Sequence, residues 1–114
     1  MNNAVSEQPA ASSRAGIQER LEMLPKLYAT DGMKQREVQI VIFHMFSRWT
    51  WYVVEGEKQE DGDWLLFCFC RSGFGEQDDE WGYTTLKQFD EIPYIKAYVP
   101  KTTLVIDNNG NILE

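Results

Sequence analysis

The spacing of apolar positions changes along this chain, and each change predicts an element. Residues 1 to 12 are mostly Asn, Ala, Ser, Gln and Pro, with Val5 as the single β-branched residue. Such a mix cannot offset its own ordering entropy and predicts a disordered tail, with one domain over 13–114. From Ser12 or Ser13, Ile17, Leu21 and Leu24 recur at i, i+4 and i+7 with polar residues between, the period of an amphipathic helix that Pro25 stops. Lys26 to Gly32 then reads as a connector ending in an Asp-Gly turn signal.

The period next shortens to two. Val38 to Met45 is rich in β-branched residues and nearly continuous in its apolarity, which predicts a central strand covered on both faces. Trp49 to Glu55 alternates, with Trp49, Trp51 and Val53 on one face and Thr50, Tyr52 and Val54 on the other. The polar run Gly56 to Gly62 turns the chain into a third strand, Trp64 to Cys70, and an antiparallel meander is the simplest assembly. A Gly- and acid-rich loop, 72–80, leads to a short strand at Trp81–Thr84. Thr85 with Gln88 forms a capping-box pattern ahead of a second helix carrying Leu86, Phe89 and Ile92 and ended by Pro93. Extended pieces follow at Tyr94–Val99 and Thr103–Ile106, and Asp107 to Asn111 is a hairpin-type turn before Ile112-Leu113. The expected class is α+β, an antiparallel meander with two helices packed against it.

Length and charge narrow the function classes. At 114 residues a single domain is expected, and 18 acidic against 11 basic side chains leave −7 at neutral pH. Generic adhesion to nucleic acid or anionic lipid is thereby disfavoured. There is neither an N-terminal secretion signal nor a run approaching the roughly 20 apolar residues of a membrane span, so a cytoplasmic location is expected. Cys68 and Cys70 sit two apart on one strand, a spacing unsuited to a disulfide, and read as buried structural thiols.

Three stretches carry a resemblance: Leu24-Pro25-Lys26-Leu27-Tyr28-Ala29-Thr30, Trp49-Thr50-Trp51-Tyr52-Val53-Val54-Glu55-Gly56, and Glu80-Trp81-Gly82-Tyr83-Thr84-Thr85-Leu86. In this order and spacing they resemble a family of small bacterial proteins defined only as a domain of unknown function, common on plasmids, conjugative elements and phages. The resemblance spans about residues 24 to 99 and implies an accessory gene of a mobile element. That family supplies no catalytic residue that could be carried over.

Charge is unevenly spread. Residues 55 to 91 hold eleven acids and three bases, a balance of −8, while the rest is close to neutral. If the loops bearing Glu57, Glu60, Asp61 and Asp63 and those bearing Glu76, Asp78, Asp79 and Glu80 share one end of the meander, they form a single patch that steers a basic partner. The plainer reading is two solvated loops. Trp49, Trp51, Tyr52 and Trp81 are candidates for an aromatic binding surface, weighed against service in the core. The acids lack EF-hand spacing, and neither a metal nor any other cofactor is expected. The leading expectation is a non-enzymatic protein-binding module that acts on a protein with a basic surface, as an inhibitor or modulator of a host nucleic-acid-handling or defence complex, with direct nucleic-acid binding disfavoured. The rival is a small hydrolase or ligand-binding protein using His44 with Cys68 or Cys70, or a carboxylate-held metal.

Overall fold

A computed structural model describes residues 11–75 and 78–113. Its elements are α1 (Arg14–Leu21), β1 (Gln35–Glu37), β2 (Ile40–His44), β3 (Thr50–Lys58), β4 (Trp64–Arg71), β5 (Glu80–Thr85), a 3₁₀ helix (Leu86–Glu91), β6 (Ile95–Tyr98), β7 (Val105–Asp107) and β8 (Ile112–Leu113). The class is α+β, as the periodicity predicts. Ser13 caps α1 by accepting from the Gly16 amide at 3.0 Å. The segment after Thr85 makes only a 3₁₀ helix, with the Thr85 amide donating to the Gln88 side chain at 2.8 Å.

Five strands form one antiparallel sheet in the order β5-β4-β3-β2-β6. The centre is therefore β3, not the Val38–Met45 segment. A second, three-stranded sheet, β1-β7-β8, was not anticipated; β1 is a polar three-residue strand whose partner lies some seventy positions away. The second sheet makes a ribbon over one face of the large sheet. That ribbon face buries Val38, Val41, Val54, Phe69 and Ile106. The opposite, helical face packs Leu21, Ile17 and Leu24 with Phe89 and Leu86 onto Ile40, Ile42, Val53, Leu66 and Cys68. Each strand thus sends alternate side chains into two cores, which is why β2, β3 and β4 are apolar in both parities.

One irregularity interrupts this alternation. Between Val53 and Glu55 the register of β3 against β4 shifts, so Val53 pairs with Cys68 and Glu55 with Phe67, leaving Val54 as the extra residue of a β-bulge. Strict alternation sends Glu55 into the apolar helical core. The bulge turns it to the ribbon face instead.

Ordering begins earlier than the composition predicts. Ser12, placed in the expected tail, donates its amide to the Ala97 carbonyl at 2.9 Å and accepts from the Val99 amide at 2.9 Å. The rest of that expected tail, 1–10, lies outside the described residues.

The ribbon is held by its β7–β8 turn. Asp107 accepts from the amides of Asn109 and Asn111, each at 2.9 Å. These bonds, that to Asn111 foremost, hold its carboxyl below the usual aspartate range. Arg36 donates to the Asn108 side chain at 2.8 Å, the Trp81 indole to the Asn108 carbonyl at 2.9 Å, and the Arg71 guanidinium to the Gly110 carbonyl. Gly110 has φ of +86°, and a Cβ there would fall on the Phe69 ring. Left-handed strain and overpacking then act together, so Gly110→Ala is expected to cost about 2–4 kcal/mol. Urea unfolding checks this; a loss below about 0.5 kcal/mol would show that the ribbon is not seated this closely.

Candidate functional site

Consecutive hairpins of a meander close alternate ends, and this separates the acidic residues. The β3–β4 turn, 59–63, closes one end and the β4–β5 connection, 72–79, the other, with the eight residues of β4 between them. At about 3.3 Å per residue that is roughly 26 Å. The single acidic patch is therefore not formed. Several of its members also have local partners. Asp63 is buried and accepts from the amides of Trp64 at 2.7 Å and Lys87 at 3.1 Å. Burial alone raises its pKa, but these amides, the Thr85 side chain and the Lys87 charge outweigh it and leave the carboxyl below its usual value. Asp61 accepts from the Asp63 amide at 2.9 Å. Asp79 accepts from the Ser72 amide at 2.9 Å and lies 3.8 Å from the Arg71 guanidinium. Glu57, Glu60, Asp61, Asp78 and Glu80 are exposed, and Glu76 lies outside the described residues.

The candidate aromatics also divide. Tyr52 and Trp81 lie on the ribbon face, where Arg71 sits 5.5 Å over the Tyr52 ring and Arg36 sits 5.0 Å over the Trp81 ring. They serve packing beneath the ribbon. Trp49 and Trp51 lie on the other face, stacked at 5.9 Å, with Trp51 edge-on to Phe89 at 5.0 Å.

Around Trp49 the structure assembles residues that the periodicity did not single out. The β2–β3 tip, the start of the β4–β5 connection and the segment before β6 all meet at this end of the sheet. Phe46 is 71% exposed, Phe74 75% and Tyr94 58%. Phe74 meets Trp49 at 6.2 Å, and Phe46, Tyr94 and His44 form a mutual edge-to-face cluster. Among them His44, Ser47, Trp49, Trp51 and Ile92 line an open, almost wholly apolar cavity of about 450 Å³. His44 Nδ1 accepts from the Phe46 amide at 3.2 Å, which leaves Nε2 as the donor of the neutral ring. The available signal in the sequence was the placement of Phe46 and Phe74 in turn segments, where large apolar side chains have no core to enter. The exposed Asp78 and Glu80 belong to the same end, as does Arg48.

The catalytic alternative finds no geometry. β3 lies between β2 and β4, so His44 is two strands, about 10 Å, from the cysteines. Burial, with Cys70 beside it, pushes the Cys68 thiol up to about 12; burial, with Asp79 and Glu80, pushes Cys70 up to about 11. Both are protonated at neutral pH and poor nucleophiles. Among the described residues no three His, Cys, Asp or Glu side chains converge as a metal site would need. A larger, polar hollow of about 730 Å³ is lined by the β7–β8 turn itself and by Arg71 and Trp81, which are already bonded to that turn, with Phe69, Asp79 and Glu80 beside them.

Sequence reasoning missed one further cluster. Glu55, 1% exposed, accepts from the Tyr28 and Thr30 amides at 2.9 Å each and from the Thr30 hydroxyl, to which Arg36 Nε donates at 2.8 Å. Tyr28 adopts φ of +71°, a conformation that a bulky residue keeps only where its surroundings hold it. The Gly56 amide donates to the Pro25 carbonyl at 3.0 Å, and the Tyr28 side chain beside Tyr83, with burial and the nearby acids, raises the Tyr83 pKa. Residues 24–30, 49–56 and 80–86 therefore meet around one carboxylate. Compared with family models, curated proteins and solved structures, the chain matches none.

Two outcomes follow from these contacts. Both thiols should resist iodoacetamide at pH 8 in the folded protein and react fully only in denaturant; rapid labelling of Cys70 would revive the nucleophile. Glu55→Ala should cost about 2–4 kcal/mol, since it strands buried amides. It should also speed hydrogen exchange at Tyr28 and Thr30 ahead of global unfolding.

Proposed function

We propose that this protein is a non-enzymatic protein-binding module that uses the aromatic end of its large sheet. The observation that supports this most directly is the convergence of Phe46, Phe74 and Tyr94, each more than half exposed, around a preformed apolar cavity. A monomeric domain of this size has no packing reason to present three such rings from three separate segments, and rimmed apolar patches of this kind mark interaction sites. Desolvated aromatic anchors also dominate the energetics of most interfaces.

The charges near this end of the sheet suggest the partner's chemistry. Asp78 and Glu80 are exposed at this end, and Glu91 adjoins Ile92. The cavity walls are Trp49, Trp51 and Ile92. The fitting segment therefore presents a large apolar side chain flanked by Lys or Arg, which preserves the basic partner expected from charge while moving the affinity from the acids to the rings. The resemblance to proteins of mobile elements favours a role as an accessory factor that modulates a host nucleic-acid-handling or defence complex. Direct binding of nucleic acid is disfavoured by the net charge of −7.

Panning a random-peptide library against the protein tests the reading. Enriched sequences should carry an aromatic residue or Leu between basic residues. Binding should fall at least tenfold in Phe46→Ser and Phe74→Ser, whose exposed side chains can be removed without unfolding the domain, and association should slow at high salt. Enrichment of acidic peptides, or binding that both variants retain, would overturn it.

A further inference from the structure

The large sheet has two outer strands, and they are finished differently. The β6 edge is blocked: Ser12 bonds to Ala97 and Val99 along it, Lys96 sits within it, and Pro93 and Pro100 flank it. These are the usual protections of an edge. Among the described residues the β5 edge has none of them. It is six residues long, without Pro, Lys or bulge, and in continuous register with β4 from Glu80 to Thr85.

The outward groups of β5 can be identified. The Thr85 amide is taken by the Gln88 side chain rather than by β4, so in an antiparallel ladder Thr85, Tyr83 and Trp81 aim their amides and carbonyls away from β4. Gly82 lies between the two free residues, and a Cβ built there meets nothing within 4 Å. From this geometry we infer that β5 pairs with β5 of a second copy, antiparallel about a two-fold axis through Gly82. Trp81 of each copy then exchanges two hydrogen bonds with Tyr83 of the other, four in all, and the two glycines face each other as the close, non-hydrogen-bonded pair at about 4.5 Å between Cα atoms.

Charge fits this register. Glu80, the only carboxylate of the strand, falls opposite Thr84 of the second copy rather than another acid. Asp79 lies across from the Thr85 end, which continues into Lys87. The occupant is a second copy rather than an arbitrary strand because the absent side chain stands at the two-fold point, where self-pairing brings the backbones closest. Edge pairing alone buries little area, which makes the dimer weak. Each copy carries −7, so long-range repulsion opposes association and salt relieves it. This sign is opposite to that of the aromatic end with a basic partner, and the two readings stand or fall separately.

Sedimentation of the full chain over a concentration series reaching about 1 mM, at low and high salt, tests the inference. The average mass should rise from 13.3 kDa towards twice that value, more steeply at high salt. Gly82→Lys, which has room for its side chain in the monomer, should abolish the rise. Gly82→Cys should form an intermolecular disulfide at least tenfold faster than Glu60→Cys, placed on the exposed β3–β4 turn. The pairing is overturned if the wild-type mass stays at 13.3 kDa in both salts, if Gly82→Lys still dimerises, or if the two cysteine variants cross-link at the same rate.

Discussion

A single buried carboxylate organises the irregular connector between α1 and β1. An ion as buried as Glu55 would be costly alone, and it is tolerated because two amides and a hydroxyl converge on it, with Arg36 behind that hydroxyl. Those donors belong to the irregular segment between α1 and β1, which lacks a strand or helix of its own to satisfy its amides. The carboxylate therefore replaces secondary structure for this connector, and holds Tyr28 in a backbone conformation it does not otherwise prefer. From there the contacts pass through Arg36 to Trp81 and Asn108, so the connector, the large sheet and the ribbon share one polar network.

The bulge in β3 makes this possible. Without the extra residue at Val54, Glu55 faces Leu66 and Leu24 in an apolar core that offers a carboxylate nothing. With it, two adjacent residues, Val54 and Glu55, reach the same face, one for packing and one for bonding. The strand also changes twist there, and its far end closes tightly: a Cβ on Gly56 would meet both Leu24 and Leu66.

Much of this architecture is legible in the sequence. The period-two alternation of Trp49–Val54 assigns side chains to the correct faces, and Ser13 and the Asp107–Asn111 turn mark real boundaries, whereas α1 ends at Leu21, short of the stop expected at Pro25. What escapes has physical causes. β1 is three polar residues whose only reason to extend is a partner far along the chain, so no local pattern marks it. The bulge breaks parity at the one position where parity mattered, hiding Glu55 among the surface acids. The divided acidic loops, by contrast, follow from meander geometry alone: hairpins on either end of one strand cannot share an end. The aromatic end was half legible, through Trp49 and Trp51, because Phe46 and Phe74 join them only by folding.

The grip on the β7–β8 turn bears on the order in which the domain is built. Arg36 and Asn108 are 72 positions apart, and β1 meets β7 over a similar span, whereas β2, β3 and β4 pair through short turns. The meander can close on local contacts, but the ribbon must wait for a long loop to close before any of its bonds form. During synthesis β7 and β8 also leave the ribosome after the whole of the meander. Val41, Val54 and Phe69 are thus the apolar surface that a nascent chain exposes longest, and the clamp on Asn108 and Gly110 is the step that ends this exposure.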